Sequence, residues 1–234
     1  MSASDETLIQ AASGLAKLVA GRANPDAASW LLAQLSASDF PIAFSSAGRR
    51  LGTSPLVLGD DAASLDAATR LAIGERGLDE VGRIALLLNE LSRAPGAGNA
   101  LVLELFERGT NREKQAVLRA LPLLAVHAGQ AQLDRERLVS IGVEACRSSV
   151  QTIFDAIACE NSLPADHFSD AEFNQLVLKA LFIQTSVARI FGLERRASAE
   201  LLRMAEGYAS ERRAAGRAVP TDIEIIAAHA RSIR

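Results

Sequence analysis

The segment from Ala171 to Ile183 constrains the fold more than any other part of the chain. At about 100° per residue, Phe173, Leu176, Val177, Ala180, Leu181 and Ile183 cover most of a helix circumference. Asn174, Gln175 and Lys179 share the remaining arc with Leu178 and Phe182. A helix apolar at nearly every angle needs neighbours on several sides, so it is expected to be central and buried. An ammonium carried into such surroundings must be paired or lose its proton, and Lys179 therefore demands a partner.

The rest of the chain supports a helical interior. Ala and Leu supply 75 of the 234 residues and aromatics only 4%. That bias favours helices packed closely through small side chains, whereas strands would want more β-branched and aromatic residues. With 49% apolar and 23% charged residues the chain is globular and long enough to bury a substantial core. Its net charge of -3 gives no electrostatic reason to bind nucleic acid. No apolar run approaches the roughly 18 residues of a membrane span, and Met1 to Glu6 lacks the basic residues of a signal peptide, so a cytoplasmic location is expected.

Turn and cap signals divide the chain into about twelve helices. Asn24-Pro25 reads as a cap followed by proline in the first turn, and Thr110 with Glu113 and Ser169 with Glu172 have capping-box spacing. Helices are expected near residues 5–20, 25–36, 39–51, 61–73, 78–92, 98–108 and 111–121. A long helical stretch follows over 134–159, then helices near 170–185, 187–191, 197–214 and 221–232. Short connections make neighbours antiparallel and suggest HEAT-like pairs in an irregular α-solenoid-like array with no sheet. Composition shifts near residue 110, but the apolar runs before it need partners from later helices, so the expectation is a single all-helical domain over 1–234. Over a continuous 134–159 helix, Cys146 and Cys159 would lie about 20 Å apart, too far for a disulfide.

The search for chemistry returns mostly negatives. There is no phosphate loop, dinucleotide fingerprint or nucleophile elbow, and the cysteines and the histidines His127, His167 and His229 lack zinc spacing, so neither a metal nor a cofactor is expected. His167, in a loop from Pro164 to Ser169, reads as a solvated or capping group, with proton transfer as the alternative. The densest polar pattern is Arg147, Gln151 and Asp155, whose i, i+4, i+8 spacing makes one stripe down a helix face. A solvated face is the bland reading. Glu160 and Asn161 at that helix's end, with Asn174 and Lys179 on the next, could instead build a polar pocket.

Several ordered motifs resemble one family. They are Glu144 to Arg147, Phe154 to Asn161 with Pro164, Phe173 to Phe182, Tyr208 to Arg212 and Ala214 to Arg217, with Arg119 to Leu124 as a further match. Together they closely resemble the bacterial EboA family over about residues 78–220, while helices 1–75 match loosely. Phe173 stands where the family usually has Trp, which keeps a large apolar anchor. Ser210 and Arg213 replace a frequent His and Trp, and the absent histidine favours a binding role. The resemblance adds Gln175, Tyr208, Glu211 and Arg212 to the candidate pocket and names Asp155, Glu160 and Glu211 as acids to pair with Lys179.

The resemblance implies a setting more than a reaction. The family's gene cluster also encodes a UbiA-type prenyltransferase, a TatD-like metal hydrolase, and sugar-phosphate-cyclase-like, TIM-barrel isomerase-like and phosphodiesterase-like proteins. It is tied to secondary metabolism, including export of scytonemin precursors in cyanobacteria. Two functions stay open. One is a non-catalytic adaptor that holds a pathway intermediate or a partner enzyme, for which helical arrays offer concave surfaces. The other is an enzyme whose Lys179, with Asp155, Glu160 or Glu211, does acid/base work on a small polar metabolite oriented by Asn174 and Gln175.

Overall fold

The computed structural model describes residues 3–37, 39–57, 71–74, 76–94, 96–128 and 132–232. Among these the chain is all-α. The helices are α1 (Ala3–Ala20), α2 (Pro25–Gln34), α3 (Phe40–Leu51), α4 (Leu78–Arg93), α5 (Gly98–Arg108), α6 (Asn111–Val126) and α7 (Arg135–Ala145). They continue as α8 (Gln151–Ala158), α9 (Leu163–His167), α10 (Asp170–Ile183), α11 (Leu193–Arg196), α12 (Ala199–Ala214) and α13 (Asp222–Ser232), with a 3₁₀ turn at Val187–Arg189. Most of the expected 61–73 helix lies outside the described residues, and its last residues, 71–73, are irregular. The chain divides into two compact units, Met1–Ile141 and Gly142–Arg234, and the division falls inside α7 rather than near residue 110.

In the N-terminal unit α4 is the hub, packing against α1, α3 and α6. From Val81 to Leu88 every residue of α4 is buried, and so is every residue of α6 from Ala116 to Ala125. These two helices are more completely enclosed than the Ala171 to Ile183 segment that the sequence singled out. Leu51 at the end of α3 approaches α4 so closely at Gly82 that a Cβ there would overlap its Cδ1. The polar residues of α4 are locked in place. Asp79 is fully buried and accepts hydrogen bonds from Arg83 Nη1 (2.6 Å), Arg112 Nε (2.7 Å) and Arg112 Nη2 (2.5 Å). Arg83 also donates to the Phe44 carbonyl at 3.0 Å, so a single carboxylate joins α3, α4 and α6. Burial alone would push the Asp79 carboxyl up, but its hydrogen bonds and the charges of Arg112 and Arg83 prevail and hold it below the usual carboxylate range.

Helix α6 runs on to Val126, through Pro122, where the sequence puts its end at residue 121. Proline removes one backbone donor, but the buried apolar run on both sides of it keeps the helix continuous. Both expected capping boxes form. Thr110 Oγ1 accepts from the Glu113 N–H while the Glu113 carboxylate accepts from the Thr110 N–H, and Ser169 and Glu172 do the same for α10.

The C-terminal unit holds the family-like motifs other than Arg119 to Leu124. Helix α10 meets α8, α12 and the 3₁₀ turn, and α13 packs on α11, α12 and that turn. The continuous helix expected over 134–159 is in fact broken between Ala145 and Gln151. The break has a local cause: Ser148 Oγ accepts from the Val150 N–H at 3.1 Å, a side-chain turn that competes with helical bonding. The about-20 Å separation of the cysteines holds only for an unbroken helix and does not apply, though neither cysteine is in a disulfide, Cys146 being half-buried and Cys159 buried.

Candidate functional site

A groove of about 470 Å³ opens in the C-terminal unit. Its walls come from the end of α7 and the turn after it, from Phe168 and one face of α10, and from Met204 on α12. The helical repeat explains the α10 face. Glu172, Gln175, Leu176, Lys179 and Phe182 follow one another at intervals of three, one, three and three residues and bring one stripe of the helix to the groove. Val143, Phe168, Leu176 and Met204 make the surface largely apolar. Phe182 is 55% exposed and meets the Tyr208 ring edge-on at 4.5 Å between centroids. Helix α10 is thus amphipathic rather than enclosed all round: Val177 and Leu181 are buried, while Gln175 and Phe182 face outward.

Lys179 is half-buried at this groove, and its partners are not the carboxylates expected. Nζ donates to the carbonyls of Cys146 and Ser148, both at 2.6 Å, and lies 5.1 Å from the centre of the Phe154 ring. Among the described residues it makes no ion pair. The carbonyls just past the end of α7 carry the partial negative charge of a helix terminus, which suits a cation without a carboxylate. Cys146 also lines the groove, and burial pushes its thiol up to about 12, with Lys179 pulling the other way.

The acids named for an acid/base site are engaged elsewhere. Asp155 accepts from Thr185 Oγ1 at 2.9 Å, and Gln151 donates to the same hydroxyl at 3.3 Å. Glu160, with a left-handed backbone (φ 45°), grips Arg189 through two hydrogen bonds of 2.7 and 3.0 Å. That pairing holds the Arg189 guanidinium well above its ordinary value. Glu211 is exposed on α12. Lys179, Asp155, Glu160 and Glu211 therefore do not converge.

The remaining candidates are spread through the same unit. Asn161 is a brace: its Nδ2 donates to the Ala156 carbonyl and its Oδ1 accepts from the Leu163 N–H, both at 3.0 Å. His167 closes α9, a short helix where the sequence reading placed a loop. Asn174 is 4% exposed and lies about 140° around α10 from Lys179, away from the groove. Arg212 stacks near Tyr208 and donates to the Ala218 carbonyl at 2.8 Å, beside a smaller hollow of about 300 Å³. Arg147 is exposed, pairs with Glu144 at 2.9 Å, and reaches the groove with Gln175 and Lys179. Because the helix ends at Ala145 and the next begins at Gln151, Arg147 lies in the turn between them and the stripe of Arg147, Gln151 and Asp155 does not exist as one face.

Sequence reasoning missed Thr185, Phe168 and Met204. Thr185 lies just beyond α10, and nothing local announces that its hydroxyl joins Asp155 to Gln151. Met204 did leave a signal, standing four residues before Tyr208 on one face of α12. The N-terminal unit has a broader hollow of about 630 Å³ between α2 and α3, flanked by Trp30, Ile42, Arg49 and Arg50, and none of the candidate residues lies there. No helix among the described residues is long and apolar enough to cross a membrane, and no group of His, Cys, Asp and Glu among them could hold a metal ion.

Residues 16–227 match the model of a family described as metabolite traffic protein EboA. No curated protein and no solved structure matches the chain.

Proposed function

The chain belongs to the EboA family, and from that premise we propose that it is a non-catalytic carrier that holds a small, mainly apolar metabolite in the groove beside Lys179. The observation that carries this reading is the groove itself. Its volume of about 470 Å³ is in the range of small-molecule sites, and its surface is apolar with a few polar groups at the edge. What each group bonds to supports holding over acid/base work, since the Lys179 ammonium is spent on the Cys146 and Ser148 carbonyls while Asp155 accepts from Thr185, Glu160 grips Arg189 and Glu211 is exposed on α12. The carried molecule is an intermediate of secondary metabolism, taken from or handed to cytoplasmic and membrane enzymes encoded beside the protein: the prenyltransferase, the metal hydrolase, and the cyclase-like and isomerase-like proteins.

The test uses phenylnaphthylamine, a neutral aromatic probe that fluoresces on leaving water. It should bind saturably at one site per chain. Met204→Trp, which fills the groove, should abolish that site while the melting temperature stays near the wild-type value. Binding that survives Met204→Trp unchanged would place the ligand elsewhere and defeat the proposal.

A further inference from the structure

The groove is electrically asymmetric along its length, and we infer that it selects an apolar molecule bearing one anionic group, oriented with that group at the Lys179 end. The inference rests on the groove being a ligand site and adds the class of ligand it takes. Lys179 donates to the carbonyls of Cys146 and Ser148, the two residues that flank Arg147, so both cations of the groove belong to one end. An ammonium has three donors and no acceptor. Two are spent on those carbonyls while Nζ also lies 5.1 Å from the centre of the Phe154 ring, and its positive charge, paired with no carboxylate among the described residues, is what an anion in the groove would meet.

Two acids need to be placed before an anion can be assigned. Glu172 also lines the groove, but it stands seven residues before Lys179, about 10 Å away along the axis of α10. Its Oε2 accepts from the Ser169 N–H at 2.9 Å and the Ser169 hydroxyl at 2.8 Å, which commits that oxygen to the cap. Glu144 engages Arg147 through one nitrogen at 2.9 Å and leaves the other guanidinium donors open. Lys179 and Arg147 therefore supply donors around Cys146 and Ser148, Glu172 faces the same groove two turns earlier on α10 and also bears on the Cys146 thiol, and Leu176, Phe168 and Met204 are among the apolar groups of the surface. A dianion reaching both ends would meet Glu172, and a cation would meet Lys179. An apolar monoanion such as an aromatic carboxylate or sulfonate meets the Lys179 donors with its charge, lays its apolar body along Leu176, Phe168 and Met204, and brings no second anion to Glu172.

The experiment compares two probes with the same aromatic body on the intact protein: anilinonaphthalene sulfonate and neutral phenylnaphthylamine. Wild-type protein should bind the sulfonate at least about tenfold more tightly, the effect of one hydrogen bond to a charged group. Lys179→Met should remove most of the ratio between the two affinities, and Arg147→Gln should remove part of it. Equal affinities in the wild type, or a gap that neither substitution narrows, would overturn the inference while the groove remained a ligand site. Failure of the neutral probe to bind at all would remove the carrier reading itself. The wild-type pair of affinities decides the point even if Lys179→Met fails to fold.

Discussion

Lys179 and Asp79 show two ways of satisfying a charge taken out of water. Asp79 is enclosed by two arginines, and removing it strands Arg83, whose side chain is only 5% exposed. Asp79→Asn should therefore cost about 3–5 kcal/mol in urea unfolding at neutral pH. The carboxyl is held below its ordinary value, so its contribution is fully present above the unfolded value of about 4 and is lost as pH falls through the lowered folded one. Wild-type stability should fall across that acid window, and Asp79→Asn should lack that part of the slope. Lys179→Met gives up two hydrogen bonds to carbonyls, and a loss of about 1–3 kcal/mol in the same assay is expected. That Lys179 needs a partner is legible from its apolar neighbours. Its partner's identity is not, because a backbone carbonyl looks the same at every position of a sequence. Asp79 and Arg83 escaped notice for a related reason: a carboxylate and a guanidinium four residues apart look like a solvated pair until α3 and α6 close over them.

At the level of elements, local signals are legible in this chain and tertiary ones are not. The two capping boxes form as their spacing implies, since both partners lie within four residues of each other. Ser169→Ala removes the hydroxyl that accepts from the Glu172 N–H, and the expected cost is about 1 kcal/mol by chemical denaturation. Thr110→Ala should cost a similar amount at α6, and a loss near zero at both sites would mean that these ends are held by packing instead. The break after Ala145 and the passage of α6 through Pro122 were not legible, and for opposite reasons. At Ser148 a side-chain turn overrides an otherwise helical pattern, while at Pro122 an apolar interior overrides a helix breaker. The first error mattered for the site. It turned Arg147, Gln151 and Asp155 into an apparent stripe, whereas Arg147 belongs with the groove and the other two belong with Thr185.

For the molecule as a whole, the two thiols offer separate reports on the groove and on the fold. Cys146 is half-buried in the wall of the groove and Cys159 is buried at the end of α8, so reagents reach them by different routes. Burial raises the Cys146 thiol to about 12, against about 8.5 for a free cysteine, which leaves little thiolate at neutral pH. Its alkylation in the folded protein should be far slower than that of a small-molecule thiol and should speed up steadily as the pH rises from 7 to 9. Cys159 should react only as fast as the fold opens, so its rate should increase as global stability decreases, rising to the unfolded-state limit in Asp79→Asn only where that substitution unfolds the chain. Filling the groove with phenylnaphthylamine, or by Met204→Trp, should slow Cys146 several-fold through loss of access. Mass spectrometry of the alkylated peptides distinguishes the two sites. Equal rates at Cys146 and Cys159, or a Cys146 rate indifferent to both ways of filling the groove, would show that this thiol reports opening of the fold and that the groove does not admit the probe beside Lys179.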